Sequence, residues 1–191
     1  MRLLVLLLSL TLLGGGSALA NGLTMSTSSD ALGSCVLTND DGLIRLYVIH
    51  WPSPDAVGVR YRISTCQSTL TWLGDAFSPT MTFTGDSHGG VVVQYPTCLA
   101  GPIVVQAAIY LGTGDSPADS GIKLLPHPDS QSGEVEGDRC GGGVDFLDAG
   151  GVCIKPITCF CNYLGPPYHS IPCLTVPVGP STWGRVKAMY R

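Results

Sequence analysis

Residue types that favour helices are scarce in this chain. The 191 residues include only three lysines and two glutamates, whereas Gly, Pro, Ser, Thr and Val abound. Charged residues make up 13% of the sequence, and no stretch after residue 20 concentrates Lys and Arg. Because phosphate binding depends on clustered positive charge, nucleic acid is excluded as an expected partner. The composition favours strands and turns.

A second long apolar run is also lacking. The apolar run Leu3–Leu13 follows Arg2, and Ala18–Ala20 supplies the small residues of a signal-peptidase site. A run of about 11 residues is too short for a permanent transmembrane helix, which needs about 20. We therefore predict that residues 1–20 are a secretory signal peptide and that no transmembrane segment remains after cleavage. The mature chain is expected to be secreted, periplasmic or on the cell surface.

Cleavage leaves a mature chain that is acidic and rich in cysteine. It retains 9 basic and 14 acidic residues, a net charge of −5, and eight cysteines. An even number of cysteines in an oxidising compartment predicts disulfides. Four are spread over residues 35–140 and four crowd into 153–173, so we expect two bridges within each group, with the pairing left open. The disulfide candidates are Cys35, Cys66, Cys98, Cys140, Cys153, Cys159, Cys161 and Cys173.

Short β-favouring segments separated by turn residues fill residues 36–126. Val57–Thr65 alternates apolar and polar residues, which predicts a strand with one face in the core. Leu43–His50 and Ile103–Leu111 are apolar on both faces, which predicts central strands covered on both sides. Six or seven such strands predict an all-β fold, an antiparallel β-sandwich that is immunoglobulin-like in broad architecture. Further strands are expected at Thr80–Thr84 and Val91–Tyr95.

Shifts in composition divide the chain into five parts. Glu134–Cys140 is predicted as a last strand, and the glycines that follow it resemble a flexible joint. The cysteine-rich C-terminal segment has too little apolar alternation for a core of its own, which predicts an appendage. The expected parts are a signal peptide (1–20), an N-terminal leader (21–35), a β-sandwich domain (36–140), a Cys/Pro-rich appendage (141–180) and an amphipathic tail (181–191).

The last eleven residues carry the clearest resemblance. The tail has the form S-T-W-G-x-V-K-x-x-Y-R from Ser181 to Arg191 and resembles the ending of some secreted bacterial β-rich proteins. No activity follows from this resemblance. It implies that the tail is a shared docking or sorting device, while a helix that simply packs on the domain is the alternative. The apolar residues expected to dock are Trp183, Val186, Met189 and Tyr190.

Two strings invite a catalytic interpretation. Gly85–Gly90 reads G-D-S-H-G-G and resembles the nucleophile loop of trypsin-like serine proteases, but His88 directly after Ser87 would disturb the oxyanion hole. Together with Gly114–Ser116, it also resembles the G-D-S block of SGNH esterases, yet the chain lacks the helices and the D-x-x-H pair of that family. The composition favours a turn between strands at Gly85–Gly90. No catalytic residue is assigned.

Metal and sugar sites are equally incomplete in the sequence. His50, His88, His127 and His169 are scattered, and disulfides are favoured over zinc at Cys153–Cys173, so no metal ligand is assigned. Calcium is the one possible cofactor, at the Asp-bearing loops 39–42, 112–119 and 145–148. Trp51, Trp72 and Tyr95 could stack on a carbohydrate, whereas a place in the core or at its rim is the commoner role of such aromatics.

Together these features predict a non-enzymatic exported protein. The expected role is binding, adhesion or envelope structure, with an unknown protein or glycan at the cell envelope as partner. The alternative is a secreted hydrolase with an unrecognised site on the sandwich loops.

Overall fold

The structure is a computed structural model that describes residues 21–30, 34–53 and 55–157. The described residues form twelve strands, and none of their segments is a helix long and apolar enough to cross a membrane. The strands are β1 (Gly22–Ser26), β2 (Val36–Leu37), β3 (Asp41–Trp51), β4 (Ala56–Cys66), β5 (Thr71–Phe77), β6 (Thr82–Asp86), β7 (Gly90–Leu99), β8 (Ile103–Thr113), β9 (Ser120–Leu125), β10 (Val135–Arg139), β11 (Val144–Ala149) and β12 (Gly151–Ile154).

The strands form an all-β sandwich, as the sequence predicts. One layer has the order β1-β3-β8-β5, and the other contains β6, β7, β4, β10 and β11. Strand β11 also pairs with β1, and the second half of β4 pairs with β9, so the two layers are connected at their edges. Most pairs are antiparallel, but β1 with β11 and β2 with β12 are parallel.

The long strands β3 and β8 form the centre of the first layer. They pair over their whole length, with Leu43 opposite Leu111 and Tyr47 opposite Ala107. Because side chains alternate between the two faces of a strand, Leu46 and Val48 point inward and are fully buried. They pack against inward residues of the second layer such as Val59, which is also fully buried. The core therefore lies between the two layers.

The strands extend beyond the predicted sandwich boundaries at both ends. The predicted leader contains β1, whose Leu23 and Met25 are buried between β3 and β11. The predicted appendage begins with β11 and β12, which supply the buried Leu147, Val152 and Ile154. These strands are short, so their alternation is brief, and the parallel partners of β1 and β12 lie far away in sequence. The sandwich therefore runs from Gly22 to Ile154.

A disulfide joins β7 to β10 at one end of the second layer, beside the start of β4. Cys98 at the end of β7 is bonded to Cys140, directly after β10, and both belong to the first group of cysteines. Cys35, Cys66 and Cys153 are also disulfide-bonded. The structure thus holds each described cysteine in a disulfide. Cys159, Cys161 and Cys173 lie outside the described residues, as does the appendage from residue 158 onward.

Candidate binding surface

The G-D-S-H-G-G string forms the turn between β6 and β7, as predicted. The Asp86 carboxylate accepts hydrogen bonds from the backbone N–H groups of His88 at 2.9 Å and Gly89 at 2.6 Å. Gly85 and Gly90 both have positive φ angles, 86° and 124°, which glycine adopts without strain. The composition of this string is therefore explained by turn geometry.

Ser87 in this turn is buried and bound to the neighbouring layer. Its hydroxyl donates to Asp75 Oδ1 at 2.7 Å, and its backbone N–H donates to Asp75 Oδ2 at 2.8 Å. The same carboxylate accepts bonds from the side chains of Trp72 and Gln106, both at 3.3 Å. Ser87 has no exposed surface. Its hydroxyl thus secures the turn to β5 and is closed to a substrate.

His88 points to a different partner from that of Ser87. Its Nε2 lies 3.0 Å from the Tyr110 hydroxyl, and its ring packs on Trp72 with the centroids 4.8 Å apart. Partial burial lowers the pKa of His88, against the opposing effect of the Asp75 and Asp86 charges. Ser87 and His88 therefore do not form a nucleophile–base pair, which such catalysis requires.

The acidic residues of two proposed calcium loops are engaged by cations of the protein. Asp40 is fully buried, and its Oδ1 lies 2.8 Å from Lys155 Nζ while Oδ2 accepts the Ser116 N–H at 2.9 Å. Burial raises the pKa of Asp40, but the bonds from Lys155 and Ser116 outweigh it and hold the pKa below its usual value. Asp145 is bound by Arg139, which lowers the pKa of Asp145. In the described ranges, no group of three or more His, Cys, Asp or Glu could hold a metal ion.

The three aromatic residues considered for sugar stacking serve separate contacts. Tyr95 is buried, and its hydroxyl lies 2.8 Å from Nδ1 of the buried His50. Trp51 on β3 donates to Thr24 Oγ1 at 3.2 Å. Trp72 donates to Asp75, and both of these residues are on β5. Burial lowers the pKa of His50 to about 4, and its Nε2 has no hydrogen-bond partner in the part of the chain that the structure describes. We find no shared stacking platform in these contacts.

The outer face of the first layer carries exposed leucines to which the sequence analysis gave no role. Leu43 on β3 and Leu111 on β8 are register partners, with 60% and 46% of their surface exposed. Leu73, 54% exposed, lies at the bulge of β5 opposite the same part of β8. Trp72 and Asp75 point inward on either side of this bulge, which leaves Leu73 on the outer face with Leu43 and Leu111. We call these three residues the leucine face.

The surroundings of the leucine face are also mainly apolar. Ala107 and Ile109 precede Leu111 on the same side of β8 and are half-buried. Arg45 on β3 is the register partner of Ile109. The pattern of β3 and β8 predicted cover on both faces, but the structure covers only the inner one. Contiguous exposed apolar surface of this kind commonly marks an interaction site. The sequence signal for this surface is that the β3 and β8 segments are apolar on both faces.

Several predicted residues cannot be placed on this surface. The tail residues Trp183, Val186, Met189 and Tyr190 lie outside the described residues, as does His169. His127 is described and lies on the loop before β10, with Nδ1 accepting the Asp129 N–H at 3.2 Å. The structure thus brings none of the four histidines together as a metal site within the described ranges.

Comparison with known proteins shows similarity in structure alone. No protein-family model matches the chain, and no curated protein is significantly similar to it. The sixth cohesin of scaffoldin B from Acetivibrio cellulolyticus, solved in complex with a Cel5 dockerin mutant, matches with a TM-score of 0.50 and 9% identity, over 72% of this chain and 99% of that one. A cohesin module of a Clostridium perfringens family 33 glycoside hydrolase matches with a TM-score of 0.48 and 7% identity, over 73% and 99%.

The seventh ScaB type I cohesin of Pseudobacteroides cellulosolvens matches with a TM-score of 0.46 and 7% identity, over 79% of this chain and 97% of that one. Identities this low carry information about architecture and none about ligands. The chain is therefore an all-β sandwich whose fold is similar to that of a cohesin module.

Proposed function

We propose that this chain is a non-enzymatic binding module of an exported protein, and that it binds a protein partner through the leucine face. The observation that carries the proposal is the exposure of Leu43, Leu73 and Leu111 on the outer face of the central strands β3 and β8 and the edge strand β5. A large flat apolar face in water is unfavourable, since each buried leucine contributes about 1.5–3 kcal/mol. A partner that covers the face recovers this free energy.

Two further features support a protein as the partner. The cohesin of similar fold was solved in complex with a dockerin, so this architecture can present a surface to another protein. The three aromatic residues considered for sugar stacking contact the domain interior or Thr24, and in the described part of the chain they share no stacking platform. Export rests on the predicted signal peptide at residues 1–20.

Within the described residues, the side chains that suggested catalysis have structural partners. Ser87 is buried and donates to Asp75, while His88 contacts Tyr110. Two other buried polar groups, Asp40 and His50, also have partners within the domain, namely Lys155 and Tyr95. These groups hold strands and turns in place and leave the outer face to interact.

The test is a capture experiment with surface variants as bait. The mature chain and a Leu43→Asp/Leu111→Asp variant are each immobilised and exposed to the extracellular fraction of the native host. The control is Val144→Ser, which changes a 40% exposed apolar residue in the other layer. We expect a protein that binds wild type and control and is lost from the double variant, with its affinity reduced at least about tenfold.

Two results would count against the proposal. One is an identical set of bound proteins for all three baits, which would place binding elsewhere. The other is turnover of an ester, peptide or glycoside panel that disappears in Ser87→Ala or His88→Ala, which would restore the hydrolase alternative.

A further inference from the structure

A second exposed apolar surface lies on the outer face of the second layer. Val144 and Phe146 alternate on β11, with 40% and 59% of their surface exposed. The residues between and after them, Asp145 and Leu147, point the other way, and Leu147 is part of the core. Val144 and Phe146 are therefore held side by side on one outer face, which we call the Phe146 patch.

Acidic residues surround the Phe146 patch. The register of β10 and β11 places Glu136 opposite Phe146 and Asp138 opposite Val144. Asp148 follows Phe146 on the same side of β11 and is exposed. Arg60 lies 2.7 Å from Asp138 and 3.6 Å from Glu136, so one guanidinium is shared by two of the three carboxylates. The local net charge is 1 − 3 = −2.

The charge of this group is secured by the loop before β10. The hydroxyls of Ser130 and Ser132 donate to Glu136 Oε1 at 2.7 and 2.8 Å. The bond from Ser130 is the main cause that lowers the pKa of Glu136, so this carboxylate stays ionised at neutral pH. An occupant of the Phe146 patch should therefore be apolar and positively charged.

One segment of this chain has that chemistry. Residues 181–191 include Trp183, Val186, Met189 and Tyr190 together with three basic residues and no acidic one. Elsewhere the mature chain has an acidic excess, so this segment differs in sign from most of the surface. Because a peptide of this length gains little order by itself in water, docking on a surface is needed to hold it.

Charge favours the Phe146 patch over the leucine face. The described chain ends at Ile157, and residues 158–180 comprise 23 residues, which span at most about 75 Å when extended. Both faces are within that reach. The leucine face carries one charge of each sign, since Asp41 and Arg45 lie on the same side of β3 as Leu43, whereas the acidic excess around the Phe146 patch attracts a basic segment.

We propose that the Phe146 patch is the docking site for the basic tail 181–191 of the same chain. The apolar tail residues cover Val144 and Phe146, and the basic residues lie beside Asp138 and Asp148. This contact is separate from the leucine face, so it leaves that face open to another protein.

Proteolysis of the full, oxidised chain tests the docking. Chymotrypsin cleaves after Trp183 and Tyr190, and its rate at these bonds follows the fraction of undocked tail. We expect slow cleavage in wild type and cleavage faster by about tenfold in Phe146→Ser, followed by mass spectrometry. The matched control, Leu111→Ser, carries the same kind of change on the opposite face and should cleave at the wild-type rate.

A charge exchange separates docking from a change in folding. Asp148→Arg should accelerate cleavage of the tail, and Arg185→Asp in the same chain should slow it again. Neither change removes a chymotrypsin site or a buried residue. Because Arg185 lies two residues after the Trp183 bond, Arg185→Asp alone is the control for a direct effect on chymotrypsin, and only slowing that depends on Asp148→Arg indicates that the two positions lie close together.

Three outcomes would overturn the proposal. Equal cleavage rates in wild type, Phe146→Ser and Leu111→Ser would show that the tail does not dock here and would favour a sorting role. Failure of Arg185→Asp to rescue Asp148→Arg would remove the charge argument. Protection that rises with protein concentration, together with a dimer mass in sedimentation, would assign the tail to a second copy.

Discussion

At the scale of single residues, the polar side chains in the interior serve to join strands. Asp75 accepts four hydrogen bonds from three residues that lie on three different segments, namely Trp72, Ser87 and Gln106. His50 and Tyr95 likewise join the first layer to the second. Such groups are costly to bury unless they are paired, so their loss should affect stability more than binding.

The Asp75 contacts predict that Asp75→Ala destabilises the fold more than Ser87→Ala does. Asp75→Ala leaves the Ser87 N–H and hydroxyl without their acceptors, and we expect it to lower the free energy of unfolding by about 2–4 kcal/mol. Ser87→Ala removes one donor only and should cost about 1 kcal/mol. Urea unfolding of both variants measures the difference. A larger loss in Ser87→Ala would contradict the structural role of Asp75.

His50 predicts a dependence of stability on pH. The pKa of His50 is about 4 in the folded protein and 6.5 in the unfolded chain. Between these two pH values the unfolded chain is protonated at His50 and the folded protein is not. This contribution to stability is intact above pH 6.5 and is lost as the pH falls towards 4, by about 3 kcal/mol in all.

The measurement is the urea midpoint at pH 7 and pH 4.5. The His50→Gln variant should be less stable at pH 7 but should lose less stability between the two pH values. The control Tyr95→Phe keeps His50 and removes its hydrogen bond, so its loss on acidification should resemble that of wild type. An unchanged slope in His50→Gln would show that another group titrates.

At the scale of the elements, long strands could be predicted and short ones could not. Val57–Thr65 and Ile103–Leu111 fall within β4 and β8, because alternation or continuous apolarity over nine residues is a strong signal. β1 and β12 offer only four or five residues, and their burial depends on parallel partners distant in sequence. β5 was missed because its bulge at Leu73 interrupts the alternation.

The sequence predicted only part of the proposed binding surface. The pattern of Leu43–His50 showed two apolar faces, but a chain cannot show which face its own strands will cover. The same holds for Ser87 and His88, which are adjacent in sequence and have partners on different strands. Contacts between the two layers determine which strand face is covered and which partners Ser87 and His88 have. The spacing of residues along the chain does not reveal these contacts.

The disulfide between β7 and β10 predicts a large contribution to stability. Cys98 and Cys140 are 42 residues apart, and closing a loop of that size restricts the unfolded chain enough to stabilise the fold by about 4 kcal/mol. The Cys98→Ser/Cys140→Ser variant should show that loss in urea unfolding, with peptide mapping to confirm that the other cysteines keep their pairing. An unchanged midpoint would mean that the loop is already restricted in the unfolded state.

At the scale of the whole molecule, the two outer faces differ in chemistry. The leucine face is apolar with one acidic and one basic residue beside it, Asp41 and Arg45, and the Phe146 patch is apolar with acidic residues beside it. The inner faces are joined by a continuous core, so the sandwich is a rigid support for both surfaces. A module of this kind can hold its own tail on one side and a partner on the other.

The most direct test of the central claim is hydroxyl-radical labelling of the chain with and without the protein that it captures. We expect oxidation of Leu43, Leu73 and Leu111 to fall in the complex, while that of Val144 and Phe146 stays unchanged. Unchanged oxidation of the three leucines in a saturated complex would contradict the assignment of the leucine face as the binding surface.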